Sequence, residues 1–99
     1  MIPKKLIGTL WDGTKVLEVM GGDVRRTYSV DFGLGGHGYV YPWIPKDEIW
    51  VEKLPEIADE EANIAHEIVE YLLMRYDQVD YSRAHERGLA VERILRRAA

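Results

Sequence analysis

The sequence predicts an α+β domain: a small antiparallel or mixed sheet from residues 1–54, followed by a two-helix hairpin over residues 55–99. Two observations carry this expectation. The first half alternates apolar and polar residues in short runs broken by glycine and proline, the period of half-buried strands. From Glu56 onward the apolar residues recur at three- and four-residue spacing over two long stretches, the period of amphipathic helices. With 99 residues, the chain is expected to form a single domain with a modest core.

Taken in order, Leu6 to Leu10 is a short apolar run that ends in Trp11-Asp12-Gly13-Thr14, where Asp-Gly is a strong turn signal. Lys15 to Met20 alternates as a strand and stops at Gly21-Gly22. Asp23 to Thr27 reads either as a single helical turn capped by Asp23 or as a loop. Tyr28 to Phe32 alternates again and predicts a strand. Gly33-Leu34-Gly35-Gly36-His37-Gly38 has neither the spacing of a dinucleotide loop nor the lysine of a P-loop, so its glycines are expected to bend the backbone or admit a close neighbour. Tyr39 to Trp43 and Glu48 to Glu52 predict two further strands joined by a turn at Pro45-Lys46-Asp47, with Pro42 placing the first at an edge. A helix is predicted from Asp59 or Glu60 to about Tyr76, its buried stripe marked by Ile57, Ile64, Ile68 and Leu72 and widened by Ala65, Val69 and Leu73. Its acidic first turn suits the positive end of the helix dipole. After a short loop at 77–80, Ser82 is expected to cap a second helix ending near Arg97. Ala84, Leu89, Val91, Ile94 and Leu95 face inward there, and Gly88 allows close helix approach. So short a connection predicts antiparallel neighbours.

Composition narrows the function classes. A net charge of -4 and a pI near 5.3 argue against nucleic acid as a partner, because phosphate binding wants a basic surface. No stretch approaches a membrane span and the start lacks the apolar run of a signal peptide, so a cytoplasmic protein is expected, in the host cytoplasm if viral. The chain has no cysteine, so any metal must be held by histidine and carboxylates.

One stretch offers such a set. Ala65-His66-Glu67-Ile68-Val69-Glu70-Tyr71 contains H-E-x-x-E, which places His66 and Glu70 on one helix face with Glu67 beside them. The better-known zinc-protease pattern is H-E-x-x-H with a third ligand from elsewhere. Here His85, early in the second helix, restores a set of two histidines and one carboxylate, and the hairpin brings it to the height of His66 and Glu70. His66, Glu70 and His85 are thus the expected ligands, and Glu67 is left to handle a proton. Zinc is the expected ion, although iron, nickel and manganese accept the same donors. Glu92 lies two turns after His85, where it either orients a ligating imidazole or pairs with Arg96 at i+4; the pair is expected.

Three blocks carry a resemblance over residues 28 to 92: His66-Glu67-Ile68-Val69-Glu70-Tyr71-Leu72-Leu73-Met74, then Tyr81-x-x-Ala84-His85, and before them Gly35-Gly36-His37-Gly38-Tyr39-x-Tyr41-x-x-Ile44-Pro45-x-x-Glu48-Ile49-Trp50. These blocks resemble small uncharacterised phage and prokaryotic proteins with an HExxE motif, and more distantly the minimal gluzincin-like zinc metallopeptidases. The chain departs from gluzincins at Glu70, where they carry histidine, and at His85, where they carry the glutamate ligand. The resemblance implies metal-assisted hydrolysis of peptide bonds, with Glu67 taking the proton of a metal-bound water. It further implies an extended peptide substrate paired to an edge strand around Gly38 to Tyr41, with His37, Tyr39 or Tyr71 stabilising the oxyanion. Two other readings stand beside this one: a structural metal with His37 as fourth ligand, and a metal-free assembly or binding module that presents its edge strand.

Overall fold

The computed structural model describes residues 2–98. Its elements run β1 (Lys5–Thr9), β2 (Lys15–Val19), α1 (Gly21–Thr27), β3 (Gly35–His37), β4 (Glu48–Glu52), α2 (Ile57–Tyr76) and α3 (Tyr81–Ala98). The fold is α+β, with a four-stranded mixed sheet in the order β1-β2-β4-β3 and a C-terminal helical pair. The chain divides into two compact units between Lys53 and Leu54, where the hydrophobic period changes. Among the described residues no helix is long and apolar enough to cross a membrane.

In the first unit β1 and β2 form the hairpin that Asp12-Gly13 predicts. Gly13 takes φ 88°, and the Asp12 carboxylate accepts the Thr14 N–H at 2.9 Å, closing the turn. β2 and β4 pair in parallel, Val16 against Ile49 and Val19 against Glu52, so the chain must cross over between them. α1 lies on that crossover, and the ambiguous Asp23–Thr27 segment is therefore helical. Ile2, Leu17, Val19, Val24, Phe32, Ile44 and Trp50 form the core of this unit, with Tyr41 and Trp43 packed against it.

Two predicted strands are not formed. Tyr28 to Phe32 is a chain of turns, because the Tyr28 N–H bonds back to Val24, the Phe32 N–H to Ser29 and the Asp31 N–H to the Ser29 hydroxyl. Tyr39 to Trp43 is likewise turned: the Val40 and Tyr41 N–H groups both bond to the His37 carbonyl. The alternation in these segments serves an aromatic cluster instead. Tyr28 stacks on Trp43 at 5.0 Å between centroids, and Phe32 meets Tyr41 and Trp43 at 5.9 and 6.0 Å. The edge strand expected at Gly38 to Tyr41 falls instead within the glycine run, as β3, paired antiparallel to β4. Gly36 is small there for a reason: a Cβ would lie 2.5 Å from the Tyr41 ring. At Gly38 a Cβ would meet the backbone of Ile44, Pro45 and Lys46 at 2.6 to 2.8 Å.

In the second unit α2 and α3 pack as the predicted hairpin. α2 ends as the Asp77 and Val79 N–H groups bond to the Leu73 carbonyl, with Gln78 in the left-handed region at φ 55°. Asp80, not Ser82, caps α3, its carboxylate accepting the Arg83 N–H at 2.9 Å. The buried stripe of α2 is also displaced from the one predicted. Ile57 is exposed and Ile64, Ile68 and Leu72 are only half-buried, whereas Ala62, Asn63, His66, Glu67, Glu70 and Tyr71 are buried. On α3, Ala84 and Gly88 are buried, Leu89 and Val91 half-buried, and Ile94 and Leu95 exposed. α2 is turned so that the face bearing His66, Glu67 and Glu70, not its most apolar side, is out of water.

Candidate metal centre

Burying a carboxylate costs several kcal/mol unless a counter-charge and hydrogen bonds offset it. α2 buries two carboxylates and an imidazole within two turns, and α3 supplies partners for His66 and Glu70. Gly88 makes that possible. It sits where α3 crosses His66, and a Cβ there would lie 2.8 Å from the His66 ring and 2.9 Å from the His66 carbonyl oxygen. With only hydrogen at that point, α3 comes close enough for His85 to reach across.

The three donors predicted from spacing converge. His66 Nε2 lies 3.2 Å from Glu70 Oε2 and 3.2 Å from His85 Nδ1, and His85 Nδ1 lies 3.0 Å from Glu70 Oε2. Donors arranged tetrahedrally ~2.1 Å from an ion have edges of about 3.4 Å, and cis donors of an octahedron about 3.0 Å. The triangle falls between them, so its size fits one transition-metal ion bound on one face. Both side chains on α2 are buried, whereas the His85 side chain is 39% exposed, so the cluster opens to solvent on that side.

The surrounding residues hold the donors in place. Tyr81, one turn before His85, stacks on its ring at 5.3 Å between centroids. The i,i+4 spacing of Tyr81 and His85 is the sequence signal for this contact. Glu92 fills both roles considered for it. One oxygen lies 2.8 Å from His66 Nδ1, and the other accepts from Arg96 Nε at 3.1 Å. Arg96 in turn bonds Asp59 in the first turn of α2. Glu67 Oε2 is 3.9 Å from His66 Nε2, and Glu67 Oε1 is buried with no hydrogen-bond partner among the described residues.

The electrostatics follow from three carboxylates, Glu67, Glu70 and Glu92, around His66. Burial by itself would lower the His66 pKa. The hydrogen bond to Glu70, the charge of Glu67 and the hydrogen bond to Glu92 outweigh it and raise the group to about 9. For Glu67, burial and the charge of Glu70 push the pKa up to about 8, against a smaller opposing effect of His66. Without metal, a proton on His66 Nε2 therefore takes the place a cation would occupy, and Glu67 is largely protonated near neutral pH.

His37 ends β3 in the first unit, buried, with Nδ1 accepting the Tyr39 N–H at 3.3 Å. The Lys46 ammonium sits 4.3 Å over the Tyr39 ring. Tyr71 is buried on α2, and its hydroxyl accepts from Arg75 at 2.5 Å.

No family model, curated protein or solved structure matches the chain.

Proposed function

We propose that the protein binds one divalent transition-metal ion, zinc in the first instance, through His66, Glu70 and His85, and uses it to hydrolyse peptide bonds. The observation that carries this reading is the triangle of three lone-pair donors with edges of 3.0 to 3.2 Å, two of them on buried side chains. Three protein donors leave a coordination position for water or substrate, the hallmark of catalytic rather than structural zinc. A bound ion at this point supplies Lewis-acid chemistry and a water acidified towards pKa ~7.

The remaining work falls to side chains of the chain. Glu67, next to His66 on the same face, is the proton acceptor, and a bound cation beside it would favour its ionised, proton-accepting form. Its unpartnered Oε1 is free to receive a proton without first giving up another hydrogen bond. Glu92 holds His66 from the opposite nitrogen. The peptide as substrate class rests on the resemblance to HExxE-type proteins and gluzincins, and the metal site rests on geometry.

A second reading is favoured by the raised His66 pKa. An imidazolium between Glu70 and Glu92 is a satisfied charge network without any ion, and the protein would then be a binding module. Elemental analysis after dialysis against zinc, followed by an assay on a mixed peptide library, separates the two. One zinc per chain and cleavage that Glu67→Gln abolishes are expected. Failure of the zinc-dialysed protein to retain stoichiometric metal refutes the hydrolase reading and leaves the charge network.

A further inference from the structure

A histidine ligand has two ring nitrogens, and binding a metal through one requires the proton to sit on the other. In neutral imidazole the two tautomers have similar energies, so a protein that needs one of them must select it. His66 presents Nε2 to Glu70 and His85, and Nδ1 to Glu92 at 2.8 Å, a distance typical of a charge-assisted hydrogen bond. Glu92 is not simply an exposed helix-face partner of Arg96. Its side chain is only 20% exposed and reaches from α3 to α2, with both oxygens engaged. Arg96 is fixed in its turn by Asp59, so the relay begins and ends on α2: Asp59, Arg96, Glu92, His66.

We infer that Glu92 is the positioning residue of the metal site: it fixes His66 as the Nδ1–H tautomer and so directs the Nε2 lone pair at the ion, with Arg96 and Asp59 holding Glu92 in place. This inference rests on the metal reading above and adds the residue that tunes it. The carboxylate also raises the basicity of the imidazole, which strengthens its bond to a cation. An i,i+4 pair with Arg96 alone would need no contact with His66.

The test is zinc affinity by chelator competition, on wild type, Glu92→Ala and Glu92→Gln, well below the melting temperature of each. Glu92→Ala is expected to weaken zinc binding by about 10- to 100-fold, the usual effect of losing such a partner. Glu92→Gln keeps an oxygen for the Nδ1–H but loses the charge, so it should recover much of the loss and bind within about tenfold of wild type. Nitrogen-15 spectra of the zinc-loaded protein give a readout that a merely structural role would not move. A slowly exchanging Nδ1–H resonance of His66 is expected in wild type and Glu92→Gln, and a fast-exchanging one in Glu92→Ala. Zinc binding by wild type, with Glu92→Gln unchanged and Glu92→Ala within twofold, overturns this inference alone. Glu92→Gln with wild-type affinity and a fast-exchanging Nδ1–H overturns it even if Glu92→Ala does not fold. No zinc binding by wild type removes the metal reading and the inference with it.

Discussion

Glu67 and Glu70 differ by three positions in the chain and are both buried, yet their surroundings assign them different work. Glu70 Oε2 touches both imidazoles, whereas Glu67 stands 3.9 Å from His66 with one oxygen unpartnered. Glu70→Gln replaces an anionic donor by a neutral one and is expected to weaken metal affinity by more than tenfold, measured by chelator competition. Glu67→Gln should retain the metal and lose hydrolysis; loss of metal in that variant would make Glu67 a ligand. The pH dependence of the metal-free protein follows from the same groups. Both His66 and Glu67 have folded pKa values above their ordinary 6.5 and 4.5, so the folded state holds protons that the unfolded chain releases. The Glu67 contribution is fully present below pH 4.5 and lost as pH rises through about 8; that of His66 is present below 6.5 and lost through about 9. Thermal melts in chelator should therefore show stability falling between these limits, and Glu67→Gln should remove the fall between pH 4.5 and 6.5. A flat profile in wild type would show that neither proton is held by the fold.

Zinc must displace the proton on His66, so its apparent affinity should drop about tenfold per pH unit below 9. Calorimetry in buffers of different ionisation enthalpy reads the released proton directly.

The helical hairpin positions these groups, and Gly88 sets its spacing. Gly88→Ala forces the His66 ring and backbone to give way, because the nearest atoms would be 2.8 and 2.9 Å from the new methyl group. Overpacking of this kind costs about 1–3 kcal/mol. A loss of metal affinity should accompany it, since His85 rides on the displaced helix. Chemical denaturation and chelator competition on the same sample test both; a variant as stable as wild type would mean that α3 does not approach His66 this closely in solution. The strands carry a different lesson. β3 lies in Gly35–His37, a segment with little strand propensity, because Gly36 leaves room for the Tyr41 ring. Tyr28 to Phe32 has the alternation of a strand but folds as turns, because its aromatic residues meet Trp43 and Tyr41 rather than a neighbouring ladder. Both outcomes depend on contacts remote in sequence.

For the molecule as a whole, bound metal should appear as added stability. At a free zinc concentration 100-fold above Kd the folded state gains about 2.7 kcal/mol. For a chain of this size that corresponds to a rise in Tm of roughly 10–20 °C, at about 4–8 °C per kcal/mol. Scanning calorimetry with zinc and with chelator checks this, and coincident melts would contradict a metal site. All three candidate ligands and Glu92 lie beyond Lys53, in the second unit. The candidate site was legible in the sequence for that reason: 3.6 residues per turn put His66 and Glu70 on one face, and a short loop obliges His85 to return beside them. These are local constraints, and local constraints can be read from spacing. Which face of α2 is buried could not be read in the same way. Two stripes one residue apart compete there, Ile64-Ile68-Leu72 and Asn63-Glu67-Glu70, and hydrophobicity favours the first. The fold buries the second: Gly88 lets α3 approach closely, His85 and Glu92 on α3 offset the desolvation of Glu70 and His66, and burial raises the pKa of Glu67 instead. The pairing order of the sheet and the tautomer of His66 belong to the same class: each depends on groups brought together from distant parts of the chain, whose mutual energies exist only once the tertiary structure has formed.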